Sequence, residues 1–580
     1  MGAALEIKVE CETATDVWTD LTPDVMVSAG LSISYGISGD KPMDVVAGTG
    51  ECSFTLNGLK YSFHHADALS GFVFGAGIRV TMYRTSDAAQ SVSSITRSSS
   101  TATVTTAASH GYSTGDWITT AGCTGATTGY NGTFQITKTA ATTYTYSVGS
   151  LTPDTPAAGT VTARLGYVKH WGKLRAANPN PGTYREHFVR VVSYDRMREL
   201  AETKVRAIDV AVNQNESQLL TLVLDSLPVV SQPLRRDFDA GVDTFPYAFN
   251  ELGTGTPALT VCKHIAVSTY GSIFMRGDGT LVLQSRNTRG TGSSQFHFDE
   301  TMSDLTTNAS VDELVNNVRT TISPRTIDAS ATTVIASTTG TPLSVGAGET
   351  LTVYLEYRDP DDTQTLIGGT AVVNATATTD YLGNAAVNGS GSNLTSDLTI
   401  TTTAYASTAK LAIQNTGAAT VYLVNGSGVA FLQLRGKGIY QTAQQSFEAV
   451  SSQPYGDKML TIDLVYQSNP ENAQGYALTV EDGFNDAAAT QLDSIMFHGN
   501  NSDDLLQQAL AREPGDLVDV SEATVGADQI QMLIQSIKID VSEGPWITCS
   551  LGLAPGSAYA MWLLGTDGRT ELGETTVLGW

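Results

Sequence analysis

At 580 residues the chain exceeds the roughly 250–300 at which single cores stop growing, so four or five units are expected. Its 33 Lys and Arg against 58 Asp and Glu leave a formal charge of -25, which repels nucleic-acid phosphates and anionic membrane surfaces and disfavours specific nucleic-acid binding. Only 16% of residues are charged while Gly, Ser, Thr and Ala are abundant, which suits short strands joined by tight turns.

The N-terminus, MGAALEIKVECETATDVW, has no basic n-region or apolar h-region, and no run reaches the roughly 18 apolar residues of a membrane span. Met1-Gly2 does not read as a myristoylation signal because position 6 is Glu6 rather than Ser or Thr. Leu31, Ile33 and Tyr35 then alternate with Ser32 and Ser34, and Cys52, Phe54 and Leu56 repeat the pattern after Gly48-Thr49-Gly50, predicting the paired strands of a small barrel or sandwich.

Residues 89–165 change composition abruptly, with Arg97, Asp116, Lys138, Asp154 and Arg164 as the only charges. Val104, Trp117, Ile118, Tyr130, Phe134, Ile136, Tyr144 and Tyr146 supply a core at strand-like spacing, with turns at His110-Gly111, Gly115-Asp116 and Asn131-Gly132, so this is a compact inserted β-domain. The first pattern resumes at Gly166-Tyr167-Val168 and at Phe188 to Val192, and a helical piece between Arg196 and Leu227 is expected to close it. The N-terminal barrel domain therefore spans 1–88 plus 166–225.

Ala258 to Thr269 reads as a helix carrying Leu259, Cys262, Ile265 and Ala266 on one face. A hairpin follows, Gly271 to Arg276 and Thr280 to Gln284 about Gly277-Asp278-Gly279, making 226–300 a small α+β middle domain. A second charge-poor block, 326–434, whose only basic residues are Arg358 and Lys410, reads as an inserted β-sandwich with strands at Leu351 to Tyr357 and Thr420 to Val424.

In the last block Leu505, Leu506, Ala509 and Leu510 recur at helical spacing, Pro514-Gly515-Asp516 ends that helix, and Leu517 to Val520 starts a strand. Ile537, Ile539 and Val541, the turn Ser542-Glu543-Gly544-Pro545, and Ile547, Cys549, Leu551 and Leu553 then spell an antiparallel hairpin with one buried face. The C-terminal barrel domain is assigned 301–325 plus 435–555, and 556–580 a surface-run extension. The fold class is mainly β, multi-domain β-barrels with β-sandwich inserts and a small α+β middle domain.

Chemistry is sparse. The odd set Cys11, Cys52, Cys123, Cys262 and Cys549 has no CxxC pair and reads as buried reduced thiols. There is no G-x-S-x-G elbow and no phosphate-binding glycine loop. His64 and His65, adjacent on a strand, would face opposite sides and cannot share an ion, and His110 reads as a turn residue. Asp359-Pro360-Asp361-Asp362 lacks the Gly and Glu of a calcium loop, and Gly277-Asp278-Gly279 is a hairpin turn. Two carboxylates from distant strands can still meet in space, which keeps glycoside cleavage open. No catalytic, cofactor-binding or metal-binding residue is assigned, and the chain is not expected to be an enzyme.

Val17-Trp18-Thr19-Asp20-Leu21-Thr22-Pro23-Asp24-Val25 with Gly48 to Asn57 is similar to the opening of tail-tip (baseplate) hub and minor tail proteins of tailed bacteriophages. Arg236-Asp237-Phe238-Asp239-Ala240-Gly241 and Gly277 to Val282 resemble their middle domain, while Asn415-Thr416-Gly417, Leu432 to Gly436 and Ala509 to Asp516 resemble the later part. His110 to Asp116 and Tyr130 to Phe134 look like a small β-module of phage structural proteins. The resemblance implies related first and last barrels, three copies forming a ring of six against a sixfold tube, and hence a homotrimer. It further implies a virion protein of the tail tip, made in the host cytoplasm. Its implied partners are the distal tail protein, the tape measure, tip or fibre proteins and a host surface receptor. No peptidase or lysozyme-like domain is recognisable. The other reading is a carbohydrate-binding surface protein or polysaccharide depolymerase, resting on the β-rich inserts and on Trp117, Tyr130 and Tyr144.

Overall fold

Period-two alternation places one face of each N-terminal strand in a core. These strands are β1 (Leu5–Ala14), β2 (Val17–Asp20), β3 (Leu31–Gly36), β4 (Glu51–Asn57), β5 (Gly77–Arg84), β6 (Thr162–Asn180) and β7 (Phe188–Tyr194). The computed structural model describes residues 4–39, 41–148, 157–180, 187–206, 208–252, 255–307, 314–485, 492–556, 561–562 and 577–578. In it Leu31, Ile33, Tyr35, Cys52, Phe54 and Leu56 are buried, as the alternation predicts. The strands pair antiparallel in the spatial order β3-β4-β7-β6-β5-β1, and β2 folds back on β1. Beyond β2, Val25 bridges Leu56 of β4, so the sheet curls until its ends meet at one bridge, without a continuous closing ladder.

The charge-poor segment that follows β5 folds around Val104, Ile118, Tyr130, Ile136, Tyr144 and Tyr146, all buried. β6 belongs to both bodies: Thr162 to Gly166 pairs with strand Trp117–Ala121 of the insert, and Tyr167 onward pairs with β5.

Helices α1 (Arg196–Glu202) and α2 (Glu216–Asp225) do not close the N-terminal sheet. They bury Met197, Leu200, Leu219, Leu220, Val223 and Leu224 in a central core together with α3 (Ala258–Thr269). That core also takes Val318, Ile322, Ile462 and Tyr466, and Tyr476 and Val480 of α4 (Pro470–Phe484), from segments the sequence assigns to the C-terminal barrel. An amphipathic helix covers whichever apolar face is open. The inner face of the N-terminal sheet is already filled, in one core shared with Leu505, Leu506, Ala509 and Leu510 and with strand residues such as Ile537 and Leu551, so the central α+β body grows at the expense of both flanks. The expected hairpin stands within it, Ser272–Met275 on Thr280–Gln284. The second insert has its own core around Ile335, Leu398, Leu411, Ile413 and Leu434.

The C-terminal sheet contains β8 (His297–Phe298), β9 (Asp304–Thr307), β10 (Leu492–His498), β11 (Leu517–Glu522), β12 (Ala527–Ser542) and β13 (Trp546–Pro555), with α5 (Asp503–Ala511) between β10 and β11. Its spatial order is β9-β10-β13-β12-β11-β8. With β2 set aside, the strands taken in chain order give the same permutation as in the N-terminal sheet. The sense of one outer pair differs, β8 being parallel to β11 where β1 is antiparallel to β5, and the pairing of β9 with β10 carries a register shift that β3 with β4 lacks.

The repetition reaches single residues. His170 opposes Val80 as Ile530 opposes Val520, and Val191 opposes Phe54 as Leu551 opposes Ile495. Both long strands carry a bulge at one place, between Leu174 and Ala176 and between Ile534 and Ser536. Gly75 donates to the Leu174 carbonyl and Gly515 to that of Ile534, each at 2.8 Å, and both glycines have positive φ, +85 and +95 degrees. A Cβ on Gly75 would meet nothing within 4 Å, whereas one on Gly515 would lie 3.0 Å from Phe274. Gly75→Ala is therefore expected to cost about 1–2 kcal/mol of backbone strain and Gly515→Ala more, a difference read from urea midpoints.

The expected surface run beyond Pro555 lies outside the described residues, apart from Gly556 and the parallel pairing of Met561–Trp562 with Val577–Leu578.

Candidate assembly interface

The two curled sheets are joined edge to edge. β3 pairs antiparallel with β12 from Leu31 opposite Val541 to Gly36 opposite Ser536, and the Ile37 amide adds a bond to the Gln535 carbonyl at 2.8 Å. Leu31, Ile33 and Tyr35 share one core with Ile537, Ile539 and Val541, so the joint is apolar on its inner face. Outside, Ser32 Oγ donates to Asp540 Oδ1 at 2.6 Å beside a cleft of about 540 Å³ lined by Ser53, Thr55, Arg190 and Thr548.

Behind this joint a buried cation holds three bodies together. Lys169 of β6, 1% exposed, donates from Nζ to Glu513 Oε1 at 2.7 Å and to the Arg512 carbonyl at 2.9 Å. Glu513 also accepts from the Tyr35 hydroxyl (3.3 Å) and from the Gly277 amide (3.2 Å). Burial pushes the Glu513 carboxyl above its ordinary range while the Lys169 ammonium draws it back. The turn Gly277-Asp278-Gly279 is thus a hairpin turn and also a tongue seated on the N-terminal sheet, where a Cβ on Gly277 would strike the Lys169 backbone at 2.8 Å.

Beside it, Trp18, Trp171 and Trp117 interleave with two arginines. The Arg79 guanidinium lies 4.2 Å from the Trp18 ring and 5.0 Å from that of Trp171, and Arg235 lies 4.5 Å from Trp117 and 4.6 Å from Trp171. Arg79, 2% exposed, donates to Glu10 Oε2 from Nε (3.0 Å) and Nη2 (2.7 Å), and from Nη1 to the Thr133 carbonyl in the first insert (3.0 Å). Asp278 accepts from Trp117 Nε1 at 3.1 Å, and its carbonyl accepts from Arg235 at 2.6 Å. N-terminal sheet, small insert and central body are fastened here by charge-assisted bonds shielded from water.

The residues weighed for chemistry are spent on structure. His110 Nδ1 accepts from the Tyr112 amide at 2.9 Å and its ring stacks on Tyr112, as expected of a turn residue. Asp359 and Asp362 accept from the backbone of their own loop at Asp361 and Gln364. His65 likewise accepts from the Asp67 amide, and His64 is exposed. Tyr130 and Tyr144 are fully buried, and all five cysteines are buried and free. Among the described residues no group of three His, Cys, Asp or Glu is placed to hold an ion, and no helix is long and apolar enough to cross a membrane.

Sequence reasoning missed Glu10, Arg79, Lys169, Arg235 and Glu513. The available signal was a charge inside an alternating strand: Glu10 between Val9 and Cys11, Arg79 between Ile78 and Val80, Lys169 after Val168. Such charges are costly to bury unless paired.

No protein-family model matches the chain, and no curated protein matches it. Among solved structures it is similar to the 43 kDa tail protein of prophage MuSo2 from Shewanella oneidensis, covering 96% of this chain and 98% of that one at 8% identity and TM-score 0.42. It is also similar to the tail protein from Neisseria meningitidis MC58, over 95% and 96% at 7% identity and TM-score 0.43. A third likeness is to the E. coli c3393 protein, a type VI secretion system component described as structurally similar to the T4 bacteriophage tail proteins gp27 and gp5, over 95% and 76% at 7% identity and TM-score 0.33. These likenesses are distant, and the strand ladders of this chain itself carry the functional reading.

Proposed function

We propose that the chain is a structural protein of a phage-type tail, a hub at the tail tip or baseplate that joins the tube to tip proteins and supports host attachment and genome delivery. The observation that carries this reading is the duplicated sheet: one strand order, one register and one bulge position occur twice and are fused edge to edge through β3 and β12. Two like units in each chain let three copies present six docking surfaces to a sixfold tube, so the working form is a homotrimer. The inserts enter the chain between strands, the first between β5 and β6, and their outer faces are available to fibre proteins or a host receptor. Distal tail protein and tape measure are the partners on the tube side. The role is non-catalytic, since the buried charges serve the joints between bodies. The carbohydrate reading loses its footing because Tyr130 and Tyr144 lie in a core and Trp117 is tied to Asp278.

Immunogold or tag labelling of intact particles tests the proposal. Label confined to one end of the tail is the expected result, while label along the shaft, or particles that carry none, would refute it.

A further inference from the structure

The first insert spends its tyrosines in its core, but the second leaves a tyrosine ring standing in solvent. Its strand Thr350–Glu356 alternates exposed Thr350, Thr352, Tyr354 and Glu356 with half-buried Leu351, Val353 and Leu355, and these three pack on the insert core. A lone exposed ring is ordinary on a protein surface. Tyr354, 62% exposed, is not alone: it walls a cleft of about 1130 Å³ between its own strand and strand Thr333–Ser337.

Arg358 builds the end of this cleft. Its amide donates to the Ile335 carbonyl at 2.7 Å, and its Nη1 donates to the carbonyls of Thr363 (3.3 Å) and Gln364 (3.0 Å). Its Nη2 donates to Glu356 Oε2. One side chain thus pins the loop 359–364 against the strand and fixes the Glu356 carboxylate, whose Oε1 is left to accept a further bond. The Thr363 hydroxyl and the Gln364 amide stand exposed beside it.

We propose that this cleft binds a neutral or amino-bearing oligosaccharide of the host surface, making the second insert the part of the hub that touches the receptor. The inference rests on the hub reading and deepens it by naming the insert and the class of its ligand. The C–H face of a sugar ring packs flat on an exposed aromatic face, while the hydroxyls at its rim take bonds from a fixed carboxylate, an amide and a hydroxyl, the groups set around Tyr354. Charge narrows the class. Glu356 and Asp359 line the cleft against Arg358, which is spent on Glu356, so sugars bearing carboxylate or phosphate are repelled. Size narrows it again, since the cleft exceeds the roughly 300–1,000 Å³ of small-molecule pockets and suits several rings rather than one. A peptide added as a strand is disfavoured, because the Arg358 amide already occupies the Ile335 carbonyl in the middle of the opposing strand.

The test presents the full-length protein to an array of neutral, amino-bearing and acidic oligosaccharides, and measures dissociation constants for the strongest binder by calorimetry. Binding within the neutral or amino-bearing classes is expected. Y354A should weaken it about tenfold or more, as truncation of an anchoring aromatic does, while Y354F keeps the ring and should lose far less. Because Tyr354 is exposed, the urea midpoint of Y354A should equal that of wild type, which separates lost binding from lost folding. A wild-type protein that binds neither class, that prefers acidic sugars, or whose binding Y354A leaves intact would overturn the assignment of this cleft. A misplaced or missing label on particles would overturn the hub reading itself, so the two failures are told apart.

Discussion

Glu10→Ala is expected to destabilise the N-terminal sheet by about 3–5 kcal/mol, because it leaves Arg79 charged, buried and without its carboxylate partner. Arg79 is 2% exposed and lies between the Trp18 and Trp171 rings, so bulk solvent does not reach it to replace the two bonds from Glu10. Lys8, which pairs with the other oxygen of Glu10 at 2.7 Å, adds a second cation left uncompensated. Replacing both partners, as in Glu10→Leu with Arg79→Met, removes charge and counter-charge together and should recover most of the loss. Urea unfolding followed by tryptophan fluorescence reports this directly, since the rings on either side of Arg79 are the probe. A Glu10→Ala midpoint equal to that of wild type would show that the buried pair is not what fastens the sheet to the insert.

The second large effect is a compensation between two buried groups whose titrations oppose each other. His170 on β6 sits against Ser193 Oγ at 2.8 Å, and burial pushes its pKa from 6.5 down to about 3. A folded value below the unfolded one means that its stabilising contribution is present above about pH 6.5 and is lost as pH falls towards 3. Asp195 caps α1 by accepting from the Met197 amide, and burial pushes its pKa from 3.8 up to about 7. Its folded value lies above the unfolded one, so its contribution is present below about pH 4 and is lost as pH rises through 7. Between about pH 4 and 6.5 the two slopes, each about 1.4 kcal/mol per pH unit, cancel. Asp195→Asn should uncover the histidine, giving a stability that climbs with pH across that window relative to wild type, and His170→Gln should give the opposite trend. Parallel profiles for wild type and Asp195→Asn would refute the compensation.

Several elements were legible because their signal is local. Helix α3 occupies the residues its 3.6 period predicts, Ala258–Thr269, and the hairpin of β12 and β13 turns at Ser542 to Trp546 as its alternation and Glu543-Gly544-Pro545 require. The insert aromatics Tyr130, Tyr144 and Tyr146 are core residues, as strand-like spacing around Asn131-Gly132 implied. Helices α1 and α2 were legible as helices but not as to neighbour, because an apolar stripe states what must be buried and not against what. The interface charges were illegible as a group: Lys169 and Glu513 are separated by 344 residues, and no local pattern relates them.

The sequence by itself determined that this is a mainly β chain with charge-poor inserts, since alternation and composition act over a few residues at a time. Only the tertiary structure decided that its two ends repeat one strand order, that β3 and β12 fuse them, and that the central body draws helices and strands from both flanks. Strand pairing is a contact between distant segments whose register depends on bulges and edges, and those exist only once the sheet is formed.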